Sequence, residues 1–196
     1  MKPMDSVSWA GRAARVTFIA MGCLALPACY DFPAPLDPKP VEKLDSQLLG
    51  PWRCLPTETR LQADLKPISD SDAHPVTLAF ERTGLWYRIQ TVGFADKADE
   101  VQVLHGYPSK LGDRTVLNVG GAPGVPRPPD EKITLVVQTW LSANVVQFDL
   151  IDEKPLKEKP LSPSSELRKT LLSHRPQSEL FSPFMVCVRA KIEDPG

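Results

Sequence analysis

Short stretches of alternating apolar and polar residues occupy most of this chain after residue 75. Val76-Thr77-Leu78-Ala79-Phe80-Glu81 alternates with period two, the mark of a half-buried strand. Thr83-Gly84 is a turn signal, and Leu85 to Val92 is rich in aromatic and β-branched residues, so the pair predicts a hairpin. Val101 to His105 and Thr115 to Val119 predict a second hairpin around Ser109-Lys110-Leu111-Gly112-Asp113. Ile133 to Leu141 and Val145 to Ile151 predict a third, turning at Ala143-Asn144. A strand around Trp52 to Leu55 opens the series and Phe184 to Ile192 closes it. Residues 57–75, 93–100, 120–130 and 152–161 are polar, charged or proline-broken and predict loops. One helix is expected. Ser162-Pro163-Ser164-Ser165-Glu166 has capping serines, a first-turn proline and an acid for the helix dipole. Leu167, Leu171 and Leu172 then share a face, and Pro176 ends it. About eight short strands at hairpin spacing predict a mainly β fold: a small antiparallel β-barrel or half-barrel with one C-terminal-proximal helix.

Composition narrows the class. The 196 residues are 42% hydrophobic and 24% charged, enough to build a core. The 21 prolines, about twice ordinary usage, exclude a fold of long helices. A net charge of −1 argues against nucleic acid as a partner.

The amino terminus carries an address. Lys2, Arg12 and Arg15 precede an apolar run, Val16 to Leu26, too short to span a bilayer and of the length of a secretory signal. The run ends Leu26-Pro27-Ala28-Cys29, which resembles the lipobox of bacterial lipoproteins. The resemblance implies a signal peptide over 1–28, cleavage before Cys29 and lipidation of that cysteine, palmitate among the acyl groups. Cys23 is a competing site, and an ordinary secreted protein is the simpler alternative. Three acyl chains would anchor the chain stably. In the sorting rule of enteric lipoproteins, Tyr30 in place of aspartate favours the outer membrane, with the periplasmic and the surface-facing leaflet both open. Cleavage removes three bases and one acid and moves the net charge from −1 to −3. Residues 29–46, with Pro33, Pro35, Pro38 and Pro40, predict an extended, semi-rigid tether that holds a β-barrel domain (47–196) away from the bilayer.

With Cys29 acylated and Cys23 discarded, Cys54 and Cys187 remain. In an oxidising envelope they most simply form a disulfide bond; two buried free thiols are the alternative. No Cys-x-x-Cys exists, and His74, His105 and His174 lack ligand spacing, so neither a redox motif, a metal site nor a cofactor is expected.

Gly50-x-Trp52 at the start of the first strand resembles the Gly-x-Trp signature of lipocalin-like barrels. The resemblance implies that Trp52 plugs the barrel floor and that an arginine of a late strand, Arg189 here, packs over it. The bland alternative is a core tryptophan. The layout of lipobox, proline-rich lead and Gly-x-Trp-x-Cys also resembles small Gram-negative envelope lipoproteins. Trp86 and Trp140 are candidates for a ligand cavity or the floor, with ordinary core packing as the default.

No catalytic constellation emerges, and an enzyme is not expected. Serines lack a Gly-x-Ser-x-Gly elbow, the Gly120-Gly121 loop lacks the Lys-Ser/Thr of a phosphate loop, and the loop carboxylates suit a solvated face. Two readings remain: a lipid-anchored binder of a small apolar ligand, or an accessory subunit that scaffolds an envelope protein complex.

Overall fold

The structure, a computed structural model, describes residues 31–57, 75–93, 101–128, 131–156 and 158–190. The leader, Cys23, Cys29, His74 and the end of the last predicted strand lie outside the described residues.

Among the described residues, nine strands form one antiparallel sheet. In chain order they are β1 (Asp31–Phe32), β2 (Gly50–Pro56), β3 (Val76–Thr83), β4 (Trp86–Val92), β5 (Val101–Leu111), β6 (Arg114–Val119), β7 (Ile133–Ser142), β8 (Val145–Ile151) and β9 (Phe181–Arg189). Strands β2 to β9 close into an eight-stranded barrel, because β8 pairs with both β7 and β9, and β9 pairs with β2. Closure pairs the first and last barrel strands, so neither β2 nor β9 is left as a free edge. The helix α1 (Ser164–Ser173) lies in the β8–β9 connection.

The three predicted hairpins are present. Two of their turns hold glycines in the left-handed region, Gly84 at φ 63° and Gly112 at φ 64°, where a side chain would be strained. The second hairpin differs from expectation. Its first strand does not stop at His105 but continues to Leu111, and the turn narrows to Gly112-Asp113. Beyond Gly106, β5 pairs with β6 alone, and Pro108, which lacks an N–H, sits in that one-sided stretch. The helix also departs in detail. Its N-cap is Pro163, with no side-chain cap, and Leu172 is exposed while Leu167 and Leu171 are fully buried.

Strand alternation produces two separate cores. Inward residues such as Leu78, Phe80, Ile89, Leu117, Phe148 and Met185 fill part of the barrel. Outward residues of β6 to β8 (Val116, Leu135, Val137, Ile151) are covered by Leu167 and Leu171 of α1, by Leu180, and by Phe32, Ala34 and Leu36.

That last contact corrects the expected tether. Residues 31–40 do not stand away from the barrel; they form a strap along its outer wall. Asp31 and Phe32 pair with Thr134 and Ile133. Phe32, Ala34 and Leu36 are 0%, 5% and 1% exposed. The period-two alternation that marks strands elsewhere is present here too, interleaved with Pro33 and Pro35, and it buries one face of an extended segment. Side chains of the barrel and helix satisfy the strap's backbone. Asn118 Oδ1 accepts from Leu36 N at 2.7 Å, while its Nδ2 donates to Tyr107 O and Ser109 Oγ. Arg127 Nη2 donates to Pro33 O at 3.0 Å and Tyr107 Oη to Asp37 O. Arg168 of α1 forms a 2.6 Å ion pair with Asp37 and also donates to Lys110 O.

The Cys54–Cys187 disulfide is formed, between directly paired positions of β2 and β9 inside the barrel, with both residues fully buried. It joins residues 133 apart, so loss of the cross-link is expected to cost about 4–5 kcal/mol through the freed unfolded chain. Denaturant unfolding of a Cys54→Ala/Cys187→Ala variant checks this, and an unchanged midpoint would contradict it.

Candidate functional site

The two ends of the barrel are built differently. At one end lie the tight turns of the three hairpins, and there the chain closes the barrel. Gly50 has a φ of 106°, which favours glycine, and a side chain there would come within 3.5 Å of the Arg189 guanidinium. Trp52, two residues on, is fully buried and pairs in register with Arg189. The guanidinium lies 4.4 Å from the Trp52 ring centroid and donates to Leu49 O at 3.0 Å and to Gln47 O. The Trp52 indole donates to Leu48 O at 2.8 Å. Trp52 thus lies buried at this end of the barrel with Arg189 over its ring.

A short 3-10 turn, Ser46–Leu48, lies across this end, and Asp45 caps it. One carboxylate oxygen of Asp45 accepts from Gln47 N at 2.9 Å. The other accepts from Trp140 Nε1 at 2.9 Å and Gln138 Nε2 at 3.2 Å, and the Asp45 carbonyl accepts from Tyr87 Oη at 3.1 Å. Trp140 packs on Trp52 at 5.7 Å between ring centroids. Trp140 is therefore a floor residue. Sequence reasoning missed Asp45, Gln138 and Tyr87, whose roles depend on strands far apart in the chain.

At the other end lie the long connections, and there the interior is hollow. A cavity of about 360 Å³ opens at this mouth. Its depth is lined by Phe80, Ile89, Leu117, Val136, Phe148 and Met185. Of the polar lining residues, Asp31, Thr91, Gln102 and Thr134 lie in strands near the mouth, and Lys132 immediately precedes β7. Thr91 is 2% exposed, and among the described residues its hydroxyl has no hydrogen-bond partner.

Trp86 is not part of the cavity. Alternation turns it outward, where it packs edge-to-face on Tyr107 at 4.6 Å, under the strap. His105 also faces outward on β5. His174 caps the C-terminus of α1, with Nε2 3.4 Å from Glu179 and Nδ1 3.4 Å from Lys159. Among the described residues no group of three or more His, Cys, Asp or Glu converges as a metal site. Comparison of the chain with protein-family models, curated proteins and solved structures gave no match.

Burial pushes the phenol of Tyr87 up to about 12, and burial with the nearby Asp37 charge pushes that of Tyr107 up to about 12. Folding thus holds both phenols neutral where the unfolded chain would ionise. Stability from this source is complete below pH 10 and is lost as pH rises from about 10 toward 12. Tyr87→Phe should lose about 1 kcal/mol at pH 7 with its hydrogen bond, yet show a shallower alkaline decline in denaturant unfolding. At the mouth, Thr91→Val removes an unpaired buried hydroxyl and should raise stability by about 1 kcal/mol, seen as a higher Tm.

Proposed function

We propose that this protein is a lipid-anchored, non-catalytic envelope protein that holds one small, elongated apolar ligand in its barrel. The observation that carries the reading is the hollow mouth above a sealed floor. A cavity of about 360 Å³ falls within the range of small-molecule sites, and interior hollows of this size cost stability unless something fills them. The gradient of the lining supports a ligand with an apolar body and a polar end. Aliphatic and aromatic side chains line the depth, whereas Asp31, Gln102, Lys132 and Thr134 ring the entrance. A polar end deep in the barrel would be desolvated without a partner; at the rim it meets side chains and water. Lipidation at Cys29 and an outer-membrane location belong to the same proposal, the first from the Leu26-Pro27-Ala28-Cys29 motif and the second from Tyr30 after it.

Straight-chain carboxylic acids of increasing length test the site by displacement of a fluorescent apolar probe. Each added methylene is expected to tighten binding about fourfold, from about 0.8 kcal/mol per buried CH₂, until the chain outgrows the cavity and affinity levels off. Val136→Trp, which fills the depth, should abolish displacement while the cooperative thermal transition persists. Length-independent binding, or binding unaffected by Val136→Trp, would refute the reading. The anchor is tested separately: Cys29→Ala should abolish palmitate incorporation and release the chain from membranes.

A further inference from the structure

One polar side chain of the cavity wall has no role in the fold. Thr91 faces inward on β4, next after Ile89 on that face, and lines the cavity. It is almost fully buried, and among the described residues its hydroxyl has no hydrogen-bond partner. Valine has the same shape and suits a strand equally, so the barrel gains nothing from the oxygen and bears the cost of burying it. Register shows what stands beside it. Thr91 pairs directly with Leu78 of β3 on one side and with Gln102 of β5 on the other. Gln102 also lines the cavity. Side chains paired in this way stand about 5 Å apart at Cβ, near enough for a hydroxyl and a carboxamide to reach one shared atom. One inward step toward the floor, the same two strands present Ile89 and Leu104, again paired and both apolar. The remaining polar lining residues are placed differently. Asp31 and Thr134 pair with each other, with Thr134 Oγ1 3.5 Å from Asp31 Oδ1. Lys132 and Asp31 carry opposite charges, so the lining has no net charge.

We infer that Thr91 and Gln102 form a subsite for an uncharged oxygen of the ligand, the carbonyl of an ester or amide carried on its apolar chain. The inference rests on the reading of the cavity as a ligand site and adds the chemical class of the ligand's polar end. A carbonyl oxygen accepts two hydrogen bonds, and the subsite offers two donors, the Thr91 hydroxyl and the Gln102 Nε2. Threonine is branched at Cβ, so one rotation about χ1 exchanges methyl and hydroxyl at the cavity face. Neither donor is charged. With Leu78 and Ile89 as the other neighbours of Thr91, a carboxylate or ammonium brought to it would lose its water without gaining a counter-ion. A neutral carbonyl exchanges its water for the two bonds, and it gives the buried hydroxyl the partner that the barrel withholds. The apolar remainder of the ligand then continues past Ile89 and Leu104 into the depth.

Three compounds of equal chain length, a methyl alkanoate, the alkane and the carboxylate, test this by displacing the fluorescent apolar probe from the intact protein. The ester is expected to bind about tenfold more tightly than either of the others. Thr91→Val and Gln102→Leu should each remove most of that advantage while leaving the alkane's affinity unchanged, and Thr91→Ser, which keeps the hydroxyl, should retain it. Thr91→Val thus weakens ester binding while it raises Tm, a pairing of effects that a packing role would not produce. Equal affinity for all three compounds in the wild type, or an ester preference that survives both Thr91→Val and Gln102→Leu, would overturn the subsite and leave the apolar cavity standing. A carboxylate that binds most tightly, and loses that preference in Lys132→Gln, would assign the polar end to the cation and overturn it as well. If no compound displaces the probe, or Val136→Trp leaves displacement unchanged, the reading of the cavity as a ligand site fails and the subsite with it.

Discussion

A barrel can hold a ligand only if one of its ends is closed, and here closure depends on the Arg189 guanidinium. Its cation sits on the Trp52 ring and its N–H groups reach the carbonyls of Gln47 and Leu49. The last strand is thereby tied to the chain just before the first barrel strand, which would otherwise leave both the hole and the carbonyls open. Asp45 completes the knot from the other side, joining β4 and β7 to the same turn through Tyr87, Gln138 and Trp140. The disulfide lies one inward step away along the same two strands, at Cys54 and Cys187. Floor and cross-link hold the β2–β9 seam, where chain ends meet and local hairpin contacts contribute nothing. Above them the barrel can remain hollow without losing its shape.

Much of this architecture was legible in local patterning. Hairpins announce themselves because both strands and the turn lie within about twenty residues, and period-two alternation survives in each. The Cys54–Cys187 pair was legible by elimination, and Arg189 by its place opposite Trp52 in a resemblance of two residues. What local patterning could not deliver is contact across the barrel. Asp45 is an unremarkable acid before a polar stretch, and its four partners lie on strands β4 and β7 and in its own turn. The role of Trp86 was open because alternation separates it from Tyr87 without saying which of the two points inward.

The strap is the instructive departure. Four prolines between residues 33 and 40 suggest a free-standing spacer, and extended geometry was a sound inference from them. The alternating Phe32, Ala34 and Leu36 carried a second message, that one side of this extended segment is apolar enough to be buried. Proline assists here. It removes N–H groups that would need partners, so a segment with few strand pairings can lie on a barrel wall at small cost. The remaining polar groups are met by Asn118, whose side-chain oxygen and nitrogen are both engaged. Sequence shows an asparagine in a strand; only the fold shows that it faces outward beneath the strap.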